Sequence, residues 1–304
     1  MPVVVARERS QEGHMRVIGR IAATLFFACG LVATVEAAAT LVFTTIDVPG
    51  AVLTNAQGVN AQGDVVGTYT DAAGQQHGFL RSGGQYRTID FPNARLTFAR
   101  GINDAGDIVG TYQRQGETGG VPNHGFLFTR RGGLLAFDYP GHLNTILQRI
   151  LNDGTILGCY HDADTMGTMH GMMFDRGFSA IDMSMSMHNG VTPDGAYLVG
   201  LFTDSDGRGK GYIVSGKSFS TLEVPGALST AAWDVNPSRV VAGIYTDAGG
   251  AVHGFQYDGR TFTRIDAPGA ATTRVFGINE RGDMVGLFVD TVGRTHGFLA
   301  QVSQ

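Results

Sequence analysis

The stretch Gly101–Phe126, GINDAGDIVGTYQRQGETGGVPNHGF, decides the fold, because copies of it recur along the chain. Its first ten residues return as Gly58–Gly67 (GVNAQGDVVG) and Gly277–Gly286 (GINERGDMVG), and in weaker form at Leu151–Gly158, Val191–Gly200 and Val235–Gly243. A second signature follows each copy: His77-Gly78-Phe79, His124-Gly125-Phe126, His170-Gly171-Met172, Lys210-Gly211-Tyr212, His253-Gly254-Phe255 and His296-Gly297-Phe298. A third closes each unit, as in Ile46-Asp47-Val48-Pro49-Gly50, Ile89-Asp90-Phe91-Pro92 and Ile265-Asp266-Ala267-Pro268-Gly269. The anchors fall 40 to 48 residues apart. That is the period of propeller blades and too long for most solenoid coils.

Each unit reads as four short strands rich in β-branched and aromatic residues and bounded by glycine or asparagine. In the second unit the pattern predicts strands over Leu96–Asn103, Asp107–Tyr112, Asn123–Thr129 and Leu134–Asp138. The Asn-x-x-Gly segments between first and second strands are turns: the asparagine side chain bonds its own backbone, and the glycine takes a positive φ. The last unit stops after its third strand, Thr295–Ala300, and lacks a closing strand. Leu41–Asp47 supplies that missing piece from the other end of the chain, which leaves no open sheet edge. The expected fold is therefore all-β: a six-bladed β-propeller with four antiparallel strands per blade, its last blade closed by the N-terminal strand.

Residues 1–39 read as a leader, with residues 40–304 forming the propeller. Arg7, Arg9, Arg16 and Arg20 precede an apolar run from Ile21 to Val35, and small residues around Ala37 offer a cleavage site. A signal peptide is expected, with a retained anchor as the alternative, so the chain is read as secreted or periplasmic. Without the leader's four arginines and three glutamates, 18 Lys and Arg face 24 Asp and Glu. Such a mildly acidic chain offers no phosphate-tracking basic stripe, and nucleic acid is not expected as a partner. Cys159 is the one cysteine beyond the leader, so no internal disulfide can form.

The pattern Gly-Ile-Asn-x-x-Gly-x-Val-Val-Gly followed by His-Gly-Phe-Leu resembles the bacterial extracellular HAF-repeat proteins. Their signature carries His-Ala-Phe where this chain has His-Gly-Phe, and the resemblance runs from Leu41 to Ala300. It implies an extracellular repeat protein and brings no catalytic residue with it.

The repeated histidines His77, His124, His170, His253 and His296 invite a metal ring, but sheet geometry opposes one. Third strands stand on the order of 10 Å outside the innermost ones, far too wide for bonds of about 2.1 Å. A structural pairing with nearby turn carboxylates is expected instead. Ligand sites in propellers gather on the innermost strands and the loops that lead into them. There the copies disagree: Gln57, Arg100, Arg149, Asn189, Trp233 and Phe276 precede the Gly-x-Asn segments, and Arg95, His142, Asn144 and Arg274 stand on the entering loops, with His188 beside Asn189. Arg100 and Arg149 suit a carboxylate or sulfate; Trp233 suits a sugar face or an apolar ring. The bland alternative is inter-blade packing and channel solvation.

A methionine-rich segment adds Met183, Met185 and Met187, with Cys159 and His188 nearby in sequence. Thioethers spaced by two share one face of a strand, and soft sulfur with imidazole selects Cu(I). Gap filling by methionine is the other reading. Asp162-Ala163-Asp164 and Asp204-Ser205-Asp206-Gly207 are fragments of calcium loops without the full oxygen set. The leading expectation is a monomeric binding module whose channel face takes a carbohydrate, a peptide or an envelope component, with no cofactor. A hydrolase or lyase is the alternative, using His142 or His188 as base and Arg100 or Arg149 as oxyanion partner. A periplasmic copper handler is the third.

Overall fold

The structure, a computed structural model, describes residues 40–117, 123–142, 144–162, 168–181 and 186–303. The leader, Met183 and Met185, and Ala163-Asp164 of the first acidic segment lie outside the described residues. Among the described residues 24 strands form six antiparallel sheets of four.

The first blade holds Leu53–Val59, Val65–Thr70, Gln76–Ser82 and Gln85–Ile89; the second Ala94–Ile102, Ile108–Arg114, His124–Thr129 and Gly133–Ala136. The third holds Asn144–Ile150, Ile156–His161, Met169–Phe174 and Phe178–Ile181; the fourth Met187–Val191, Tyr197–Thr203, Gly209–Ser215 and Ser218–Leu222. Ser229–Val235, Val241–Thr246, Val252–Tyr257 and Phe262–Ile265 make the fifth. The sixth takes Thr272–Ile278, Met284–Val289 and Thr295–Val302 from the C-terminal end and Leu41–Ile46 from the N-terminal end. Leu41 pairs with Val302 and Ile46 with Gly297, antiparallel throughout. First strands of successive blades touch around the ring, and that of the sixth returns to that of the first. The chain is a six-bladed β-propeller closed by its N-terminal strand.

Each blade presents an apolar face to the next, so the core is divided into six seams. Ile46, Ala56, Phe79 and Val285 fill the seam between sixth and first blades. Val66, Ala99, Ile108 and Phe126 fill the next, and Ala242, Val275, Met284 and Phe298 fill that between fifth and sixth. The seam between third and fourth blades is the thinnest, with Leu157, Val191, Leu198 and Tyr212.

Polar links repeat with the blades. The Oγ1 of Thr54, Thr97, Thr145, Thr230 and Thr273, near the start of a first strand, accepts from the closing segment of the preceding blade: Val48, Phe91, Tyr139, Val224 and Ala267 donate at 2.8–3.0 Å. The repeated histidines pair with carboxylates. His77 lies 2.7 Å from Asp90, His124 2.9 Å from Asp138, His253 3.1 Å from Asp266 and His296 2.9 Å from Asp47, with turn carboxylates Asp71, Glu117, Asp247 and Asp290 on the opposite ring nitrogens. Lys210 stands in their place in the fourth blade, between Asp204 and Glu223.

A glycine in every second strand sets the spacing of first and second strands. A Cβ on Gly67, Gly110, Gly158, Gly200, Gly243 or Gly286 would lie 1.8–2.2 Å from a first-strand carbonyl oxygen. At this level each first strand carries a bulge, with one extra residue between Ala56 and Gly58, Ala99 and Gly101, Leu147 and Arg149, His188 and Gly190, Ala232 and Asp234, and Val275 and Gly277. A bulge turns its extra side chain away from the regular alternation. Gly286→Ala, 1.8 Å from the Arg274 carbonyl, is expected to cost about 3 kcal/mol. Gly74→Ala, at a turn with φ 84° and open space around it, is expected to cost about 1 kcal/mol. Urea-denaturation midpoints of the two variants check the contrast.

Candidate ligand site at the propeller axis

The bulged residues Gln57, Arg100, Gln148, Asn189, Trp233 and Phe276 form one ring, and the residues two positions earlier, Asn55, Phe98, Ile146, Met187, Ala231 and Arg274, form the ring above it. The upper ring is half-buried at Asn55, Phe98, Met187 and Ala231, exposed at Arg274 and buried at Ile146. Arg149 does not belong with Arg100. The bulge register sets Gln148 there and places Arg149 with Gly58, Gly101, Gly190, Asp234 and Gly277, one step deeper. Sequence alignment slipped because Asn152 mimics the turn asparagine. Leu151 holds that position, its N–H bonded to Thr155 and its carbonyl to Gly154, and Asn152 pairs with Asp104 across the seam.

Two charged side chains thus stand among four glycines at this level, and they meet. Arg149 Nε lies 3.0 Å from Asp234 Oδ2. Nη1 donates to the carbonyls of Arg100 at 3.2 Å and Gln148 at 2.9 Å, and Nη2 donates to that of Phe276. The Asp234 carboxylate also accepts from the N–H groups of Val235 and Ile278, each at 3.0 Å. Burial pushes the Asp234 carboxyl up and the Arg149 charge opposes that push. Arg149 spends its donors on four blades and serves as a latch rather than a ligand contact. Asp234, its partner, escaped the sequence reading, though a charge where Gly58, Gly101, Gly190 and Gly277 stand in other blades was the available signal.

Below the latch the turn asparagines form a belt. Asn60 Nδ2 donates to the Asn103 carbonyl, Asn103 to Leu151, Asn236 to Asn279 and Asn279 to Asn60, at 3.0–3.3 Å. Leu151 and Thr192 interrupt it at the third and fourth blades. A bowl of about 130 Å³ lies inside the belt, lined by Asn60, Asn103, Asp104, Asn152 and Glu280 and floored by Arg149 and Asp234.

Above the latch, four buried polar atoms lack a partner: Asn55 Oδ1, Arg100 Nε, Asn189 Oδ1 and Trp233 Nε1. Asn189 Nδ2 donates to the Ala232 carbonyl at 2.8 Å, Trp233 stands edge-on to Phe276 at 5.0 Å, and Arg100 lies over Phe98 at 5.6 Å. Among the described residues no carboxylate pairs with Arg100. Burial lowers its pKa to about 10, which leaves it a cation at neutral pH.

The remaining candidates lie elsewhere. Arg95 donates to Gln113, which bonds Asn123 at 3.1 Å in a buried polar chain reaching Asn144. Arg274 edges a separate depression of about 230 Å³ with Leu201, Ser229 and Tyr245. His142 packs against Tyr139 and Tyr160, 3.7 Å from Asp162. His188 is not at a channel mouth: it is fully buried in the thin seam, against Gly171, with Nδ1 bonded to the Tyr212 hydroxyl. It occupies the position of Ala56, Ala99 and Ala232, and Tyr212 that of Phe79, Phe126 and Phe255. This buried pair removes His188 as the base of a hydrolase. Met187 sulfur accepts from Gln148 Nε2 at 3.1 Å, and burial pushes the Cys159 thiol up to about 12. Among the described residues no group of three His, Cys, Asp or Glu side chains is placed to hold a metal.

No family model and no curated protein matches the chain. Solved structures do. A fucose-specific lectin from Aleuria aurantia superposes with a TM-score of 0.53 at 12% identity, over 84% of this chain and 99% of the lectin. TolB from Acinetobacter baumannii does so with 0.55 at 15% identity, over 78% of this chain and 63% of TolB. At such identities the likeness is one of fold.

Two predictions follow from the buried groups. Arg149→Met, which strands Asp234 in the interior, is expected to cost about 3–5 kcal/mol, whereas Arg149→Met with Asp234→Leu costs far less; chemical denaturation of both checks it. His188 titrates near 4, below the ordinary 6.5, because burial disfavours its charged form. The unfolded chain therefore takes up this proton first as pH falls, so the associated stability is complete above 6.5 and lost toward 4. The loss is on the order of 3 kcal/mol. His188→Ala with Tyr212→Phe, the pairing of the other blades, should remove this step from the stability-versus-pH curve.

Proposed function

We propose that this chain is a secreted or periplasmic binding module, monomeric, that takes a carbohydrate at the propeller axis above the Arg149–Asp234 latch. The observation that supports the reading is the set of unpartnered buried polar atoms on Asn55, Arg100, Asn189 and Trp233, two donors and two acceptors carried on the two axial rings, with Trp233 edge-on to Phe276. Leaving a buried donor or acceptor unmade costs about 1–3 kcal/mol, and a bound ligand recovers it. Sugars offer hydroxyls of both kinds and an apolar face for an indole. The fold shared with a fucose-specific lectin makes a glycan the first ligand to try. Arg7 to Val35, with its charged start and apolar run, supports export. The Gly-x-Asn and His-Gly-Phe repeats support kinship with the HAF-repeat proteins.

A glycan panel read by thermal shift tests the reading, since a ligand that favours the native state raises its apparent stability. At least one glycan should raise Tm, and Trp233→Ala should weaken its binding by roughly tenfold or more. A panel without any shift, or full affinity in Trp233→Ala, would refute the assignment.

A further inference from the structure

The axis carries two arginines with opposite circumstances. Arg149 has a counter-ion, and its guanidinium reaches the second, third, fifth and sixth blades. A group that touches four of six blades sits across the axis. At its level the strands leave no spare room: a Cβ on Gly58 would lie 2.6 Å from the Arg100 carbonyl, on Gly101 2.8 Å from Arg149 Cα, and on Gly277 3.0 Å from the Gln57 carbonyl. The passage is shut there. Arg100 sits one level above this barrier, half-buried, its Nε without a partner and its charge without a carboxylate among the described residues.

An unpaired, partly desolvated cation one level above a closed passage calls for an anion. A planar guanidinium fork selects a carboxylate by two parallel hydrogen bonds. Trp233 and the unpartnered oxygens of Asn55 and Asn189 on the same axial rings suit the ring and hydroxyls of the residue that bears this carboxylate. A polymer cannot thread the axis, so only its terminal residue reaches Arg100.

Resting on the carbohydrate reading above, we propose that the axis above the latch is a blind pocket for the acidic end group of a glycan, with Arg100 receiving the carboxylate and the Arg149–Asp234 latch as its floor. Three probes test it by calorimetry: an oligosaccharide ending in glucuronate, the same chain with that carboxyl reduced to glucose, and an isomer with the glucuronate internal. The wild-type chain should bind the first at least tenfold more tightly than either of the others. Arg100→Gln should shrink the preference for the first over the second to within about twofold, and Arg100→Lys should keep part of it. Melting curves confirm that both variants are folded. Equal affinity for terminal and internal glucuronate overturns the blind pocket. Equal affinity for the acidic and reduced chains, or an unchanged preference in Arg100→Gln, overturns the role of Arg100 while the carbohydrate reading stands. Failure of all three to bind overturns the acidic end-group pocket, and the glycan panel decides the carbohydrate reading separately.

Discussion

Everything rests on the antiparallel pairing of Leu41–Ile46 with Gly297–Val302. Each blade hides its apolar face only because a neighbour covers it, so a ring short of one junction would expose two faces and a sheet edge together. Hydrogen bonds between the two ends of the chain close that junction. Ile46, buried in the seam with Ala56 and Phe79, ties the closing strand to the first blade as well as to the sixth.

Within the ring, one steric rule produces both the regularity and the site. Second-strand glycines let the first strand approach and bulge, and the bulge directs Gln57, Arg100, Gln148, Asn189, Trp233 and Phe276 toward the axis. Packing against a second strand constrains these side chains little. They are free to differ, and six blades deliver five kinds of side chain to one place. The same geometry permits charge at the next position only as a matched pair, which is what Arg149 and Asp234 are.

Departures from the repeat cluster in the third and fourth blades. The asparagine belt fails at Leu151 and Thr192, the seam core is thinnest, and His188 with Tyr212 replaces alanine with phenylalanine. Gln148 bonding Met187 and Asn189 bonding Ala232 take over part of the cross-blade linkage. The irregular seam is held by specific polar contacts where the others are held by packing and belt.

Strand number, blade order, turn chemistry and ring closure were all legible along the chain, because each follows from local signals: alternating apolar residues, Asn-x-x-Gly turns and a missing last strand. The histidine–carboxylate pairs were legible too, from third-strand geometry. Arg149 was misplaced by one residue, since Leu151 stands where four of the other turns have asparagine and Asn152, one residue on, imitated it. His188 looked like a channel residue from its neighbour Asn189, yet adjacent strand residues face opposite ways and it turned into the seam. Asp234 could not be matched to Arg149 at all, for 85 residues of sequence separate two positions that only closure of the ring brings within 3.0 Å. Local pattern determined the scaffold; which charges meet on its axis, and which is left alone, depended on the third dimension, because electrostatic pairing is set by distance in space and not by distance along the chain.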